Sequence, residues 1–305
     1  MLAFLLRRLA ATVLLLFLVT VTVFGLGHLT GDPVRLMMPE DASSQDIEAM
    51  RKELGFDRPL PVQFGAFLAN AVQGDLGTSI RYQQPALELA LGRMPATIEL
   101  SVAAMAIAVV VALPLGVISA VKAGGRIDAL VSMGTVIGQA LAPFWIGIML
   151  IVVFAVWLPW FPVAGRGPPE SLVLPAVTLS LWPLAKLARI FRSSLIDQLT
   201  EDYVRTARAR GLGEGRVIIR HVLRNAAIPL VTVAGLTFGL LLGGTVVIES
   251  VFAWPGIGRL ALEAVSNRDF PVVQAAVLVA AIVFVGINFI LDVAYSLIDP
   301  RIRVG

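Results

Sequence analysis

The chain has no cysteine, which excludes disulfides, thiolate metal sites and cysteine nucleophiles. Lysine occurs only at Lys52, Lys122 and Lys186, none of them in a Gly-rich GK[ST] loop, so the sequence carries no P-loop phosphate cradle. Charge of either sign is scarce: 15% of the 305 residues, against about 25% in soluble domains. Hydrophobic residues make up 57% of the chain and the mean hydropathy is +0.86. Too little polar side chain remains to clothe a water-soluble globule, so a bilayer must cover the rest. A net charge of +3 argues against a nucleic-acid footprint unless the basic residues cluster.

A helix rises about 1.5 Å per residue and the hydrocarbon core is about 30 Å thick, so a span needs roughly 20 apolar residues. Six such runs are present, near 9–29, 96–120, 129–157, 168–190, 226–250 and 271–297. All are expected to be helical, because lipid offers no partner to unpaired backbone groups. The fourth contains Pro175 and Pro183 and meets Lys186 and Arg189 early, which predicts a kink, a tilt or a position partly outside the bilayer. Arg7 and Arg8 resemble a signal-peptide start, but the following apolar run is longer than an h-region and reads as a retained anchor. Six spans put both termini on one face. Fifteen Lys and Arg lie on that face, against Arg166, Arg259 and Arg268 in the short opposite loops, which predicts cytoplasmic termini.

The expected organisation is an N-terminal segment and first span at 1–29, an extracytoplasmic loop domain at 30–95, and a core of five spans at 96–305. Within that core lie an arginine-rich loop at 191–225 and an outer loop at 251–270. Ser44–Leu54 and Val62–Val72 are amphipathic enough for short helices on the outer face. In the arginine-rich loop, Thr200 reads as an N-cap, Glu201 and Asp202 place negative charge in the first turn, and Gly211 reads as a stop. Tyr203, Ala207 and Arg210 then share one side of a short helix, where a small residue lets another protein approach closely. A second helix is predicted from Gly213 and Glu214, with Pro229 marking entry to the fifth span. A basic loop held at anionic headgroups would satisfy the same composition.

The run Asp202-Tyr203-Val204-Arg205-Thr206-Ala207-Arg208-Ala209-Arg210-Gly211-Leu212, with Arg220 to Pro229 after it, resembles the EAA loop of ABC importer permeases. Four further blocks occur in the same order as in the dipeptide/oligopeptide/nickel permease family, B-type subunit. They are His28 to Pro33, Gly74 to Ser79, Glu249 to Leu260 and Asp299 to Arg303. Arg205, Thr206 and Ala207 stand where the wider family has Glu-Ala-Ala, so a salt bridge from that glutamate does not carry over.

This resemblance implies an all-α polytopic membrane protein with the type I ABC importer permease fold. It implies transport of di- or oligopeptides, with nickel or another small solute as the alternative, and no catalysis by the chain itself. No cofactor is expected on it, since ATP and Mg would belong to partners: two ATP-binding-cassette subunits, besides a second homologous permease and an extracytoplasmic binding protein. Tyr203, Arg205, Thr206, Ala207, Arg208, Arg210 and Gly211 would form the ATPase-coupling helix, with Ala207 allowing close approach. Asp32, Asp75, Trp254, Pro255 and Gly256 would be docking or gate residues on the outer side, and Trp254 reads equally as an interfacial anchor.

Single residues say less. Asp292 lies within the last span, where a carboxylate is a functional candidate, yet it is near enough to the span's end to reach headgroups or pair with an arginine. Glu99 and Glu249 near span ends read in that second way. Met37 and Met38 beside Glu40 are ordinary packing before they are metal ligands. An ion-coupled secondary transporter would require paired intramembrane carboxylates or a repeat, and an intramembrane hydrolase a nucleophile and base at one depth; His28 and His221 fall on opposite predicted sides. External protease is expected to cleave within 30–95, and to reach 191–225 only from the cytoplasmic side. The reverse digestion pattern inverts the topology.

Overall fold

The computed structural model describes residues 2–29, 43–53 and 55–298. Asp32, Met37, Met38, Glu40 and the block from Asp299 to Arg303 lie outside them, as do the side chains of His28 and Asp292. The described secondary structure is helical apart from an isolated bridge between Thr78 and Pro85. Among the described residues five helices are long and apolar enough to cross a membrane, and a bent pair makes a sixth crossing if taken as one span. The chain divides into two compact units, Met1–Thr97 with Pro255–Gly305, and Ile98–Trp254.

The first unit contains α1 (Leu2–Leu29), α2 (Ser44–Glu53), α3 (Leu60–Val72), the start of α4 (Ala86–Val121), α10 (Ile257–Ser266) and α11 (Phe270–Ile298). The two short amphipathic helices form where the sequence places them. Pro61 near the start of α3 costs no helical hydrogen bond, since the first-turn N–H groups have no intrahelical partner. Phe64 and Phe67 of α3 pack on Phe24 of α1, with centroids 5.3 and 5.8 Å away. Residues 74–79 form a loop whose two glycines adopt φ +82 and +83, backbone that a side chain resists. Ser79 donates to Asp269 at 2.5 Å, and the amides of Ile80 and Arg81 donate to the same carboxylate. Both side chains are buried, so the loop is clamped to the residue just before α11.

The second unit contains the rest of α4, α5 (Arg126–Ala140), α6 (Pro143–Ile151), α7 (Val173–Leu199), α8 (Asp202–Ala209) and α9. α9 starts at Glu214–Val217, runs through a π-helical turn at Ile218–Val222 and continues as Leu223–Val251. The span expected as one helix at 129–157 is broken: α5 and the segment Pro143–Trp157 meet at 99°. Pro143 accounts for the break. Its ring disfavours helical backbone in the residue before it, and Ala142 is extended at φ −65, ψ 128. The fourth span runs on to Leu199 with Pro183 buried inside it, and Pro229 lies within α9 rather than at its entry. α4 begins at Ala86, earlier than its apolar run suggests, since Glu88 and Arg93 interrupt the apolar sequence without interrupting the helix.

Small residues recur every fourth position on α4: Ala104, Ala108, Ala112, Gly116 and Ala120. This spacing places them on one face, and a small face permits close helix approach. A Cβ added at Gly116 would stand 2.8 Å from the Phe191 ring of α7. Beyond this contact lies a polar knot. Arg192 of α7 donates from Nε and Nη2 to the two oxygens of Asp128 on α5, at 2.7 and 2.6 Å. Ser119 of α4 and the amide of Gly124 donate to the same carboxylate at 2.5 and 2.9 Å.

Asp128 is 7% exposed at the side chain and Arg192 30%, so removing the acid strands a half-buried cation. Asp128→Ala is expected to destabilise the protein by about 2–4 kcal/mol. Adding Arg192→Met should recover part of that loss, a non-additivity expected of groups sharing one network. Thermal unfolding of both single variants and the double variant in detergent checks this, and strictly additive losses would show that the pair is not coupled.

Candidate functional site

The arginine-rich loop folds as a hairpin of α8 and the first turns of α9 at the end of α7. Thr200 does not cap α8. It closes α7, its hydroxyl donating to the Asp197 carbonyl at 2.8 Å, and Glu201 takes the N-cap position with extended backbone and no side-chain bond. The reason is register, since α7 continues further than its apolar pattern implies and uses Thr200 for its own end. Asp202 still places negative charge in the first turn of α8, where it favours the helix dipole.

α8 ends as the sequence predicts. The Gly211 amide donates to the Arg208 carbonyl, and the Leu212 amide to that of Ala207. Gly211 itself adopts φ +76, the left-handed backbone that closes helices and that β-branched residues resist. No heavy atom lies within 4 Å of the position its Cβ would take, so the constraint there is backbone conformation rather than space. Across the turn Arg208 Nε meets Glu214 at 2.7 Å and fastens α8 to the start of α9.

The face carrying Ala207 is not open to another protein. Val204 is 0% and Ala207 7% exposed, and both belong to a core shared with Leu195 of α7 and Val217 and Val222 of α9. Tyr203 is partly buried beside them, and its hydroxyl donates to Gln198 at 2.7 Å. The close approach that Ala207 permits is therefore to this chain's own helices. Helical spacing alone could not distinguish an internal neighbour from an external one. The exposed side is formed by Asp202, Arg205, Thr206, Arg208, Ala209 and Arg210. Among the described residues Arg205 is held by Asp202, at 3.4 Å with both side chains largely in solvent, an arrangement worth little to folding and free to rearrange.

The outer candidates separate into exposed and buried groups. Asp75 is exposed and accepts from the Gly77 amide at 2.9 Å, so it shapes its own loop. Trp254 is 1% exposed, which corrects its reading as an interfacial anchor and removes it from any docking surface. Its amide bonds the Glu249 carbonyl at 2.8 Å, closing α9 through Ala253 at φ +48. Pro255 follows, and Gly256 is the extended N-cap of α10. Glu249 is buried rather than reaching for headgroups, and Glu99 pairs with Arg166 at 2.7 Å. Sequence reasoning missed Asp128 and its pairing with Arg192, for which no local signal exists. It also missed the π turn between the hairpin and α9.

Comparison with known proteins gives the same direction. Residues 112–304 match the family described as binding-protein-dependent transport system inner membrane component, and residues 1–101 match its N-terminal companion. The glutathione transport system permease protein GsiC of Escherichia coli strain CFT073 is 43% identical over 304 residues, covering 99% of each chain. The protein of that name from Pectobacterium atrosepticum is 44% identical over 305 residues, again covering 99% of each. An inward-facing structure of the MetNI methionine ABC transporter superposes with a TM-score of 0.59 at 19% identity, covering 69% of this chain and 96% of that one. A structure of an amino acid ABC transporter with histidines gives 0.51 at 15% identity, covering 68% and 93%. At those identities the likeness concerns the fold. Matched along its length by the family and its relatives, the chain belongs to the binding-protein-dependent inner-membrane transport components of the peptide and nickel type, multi-pass proteins of the bacterial inner membrane.

Proposed function

We propose that this chain is one permease of an ATP-driven importer of peptide-like solutes, with both termini and the α8 hairpin in the cytoplasm. The observation that carries the reading is the hairpin itself. A short helix is pinned by its buried Val204 and Ala207 to two long apolar helices, and it offers a charged face that is exposed among the described residues. A push on that face is transmitted by packed side chains to α7 and α9, as a rigid contact requires. The partner doing the pushing is an ATP-binding-cassette subunit with its ATP and Mg, because this chain has no phosphate cradle. Arg205, Arg208 and Arg210 offer charge and hydrogen-bond donors at the contact, and Gly211 sets the angle of the return.

The excess of Lys and Arg on the hairpin's side supports the orientation. The relatives' names support a peptide-like solute, which makes glutathione the first probe of transport. Substrate is delivered by a binding protein at the outer side, where Asp75 is exposed, and a second homologous permease completes the pathway.

Purification of the native assembly should bring down an ATPase and a second permease in stoichiometric amounts; a lone chain with full transport activity would overturn the proposal. Gly211→Val is expected to leave membrane insertion intact and ATP hydrolysis measurable, while uptake falls about tenfold or more. Gly211→Asn should retain more uptake, because asparagine tolerates left-handed backbone. Equal, wild-type coupling in both variants would remove the hairpin from the mechanism.

A further inference from the structure

The second unit also contains a cavity of about 490 Å³ beside the break between α5 and α6, walled by α5, α6, α7 and α9. That is the size of an ordinary small-molecule site, in the range of about 300–1,000 Å³. Its wall is largely apolar, with Leu141, Phe144, Leu179 and Leu241 among the lining residues. Two others, Gln139 on α5 and Trp182 on α7, are different. Each holds a cation. Arg189 Nη2 donates to Gln139 Oε1 at 2.9 Å, and Lys186 Nζ stands 5.1 Å from the centre of the Trp182 ring.

Trp182, Lys186 and Arg189 are spaced four and three apart, so they share one face of α7. Neither cation is paired with a carboxylate among the described residues; an amide oxygen and an indole face orient them without cancelling their charge. Both lie at the end of the fourth span that is predicted to face the cytoplasm, where reaching anionic headgroups is the ordinary role of a cation. One that served only to reach headgroups would need no fixed partner, whereas both of these are tied to the wall of a cavity.

We propose that Lys186 and Arg189 form a carboxylate-binding site, which receives the acidic end of a solute whose apolar part lies in the cavity. The guanidinium presents paired donors that match a carboxylate, and the amide N–H groups of Gln139 remain as donors beside it. The site takes an acid of small-peptide size, and this deepens the importer reading given above, on which it rests.

The test uses the assembled permeases and ATPases in phosphatidylcholine nanodiscs, without binding protein. The probes are radiolabelled glutathione and its dimethyl ester, which lacks both carboxylate charges. Arg189→Gln is expected to weaken glutathione binding at least about tenfold, about 1.4 kcal/mol, and leave ester binding unchanged. Lys186→Met should act in the same direction, and Arg189→Lys should lose less. No glutathione binding by the wild type, or equal losses for acid and ester, overturns the site. So does an Arg189→Gln variant that changes only the retention of added phosphatidylglycerol, which would assign the cations to lipid. ATP-driven uptake in proteoliposomes with the binding protein separates the two readings. Uptake without cavity binding defeats this site alone, and cavity binding without ATP-driven uptake defeats the importer.

Discussion

Asp128 is buried with Arg192 partly exposed beside it, and the way their charges are satisfied ties α4, α5 and α7 together. A carboxylate in an apolar setting is stable only when its lone pairs are occupied, and four donors from α4, the following turn and α7 converge on this one. The arrangement fixes rotation as well as proximity, since a bidentate guanidinium contact tolerates little twist. With α5 and α7 locked at one end, the small-residue face of α4 can rest against Phe191, and the hairpin that follows α7 is carried on a defined frame.

What the sequence discloses follows from the range of each force. Burial in lipid is a local demand on composition, so the spans were legible in runs of apolar residues, and the two short amphipathic helices in their periodicity. Backbone effects are local too. Gly211 could be read as a turn because its conformation is a property of the residue, and Pro143 held an equally local signal for the broken span, hidden inside a continuous apolar run. The knot at Asp128 was not legible, because its partner lies 64 positions away and an aspartate near the start of a helix looks like an ordinary first-turn acid.

The hairpin shows the same boundary at the level of function. Its motif and its charge were visible, but which side of α8 faces inward depends on α7 and α9. Ala207 was expected to let another protein approach closely, and the neighbours it meets are this chain's own helices. Trp254 went the same way: aromatic residues are common at membrane interfaces, yet this one is sealed inside the fold behind a left-handed Ala253. In both cases chemistry was readable and direction was not.

The clamp between Ser79 and Asp269 joins residues 190 positions apart. A ribosome releases the chain in order at about 5–20 residues per second, so the serine emerges roughly ten to forty seconds before its acceptor exists. Through that interval the glycine-rich loop has only its own neighbours to hold it. Completion of this part of the protein is thus tied to arrival of the last helix, and a polypeptide truncated before residue 269 would leave the early loop permanently unfastened.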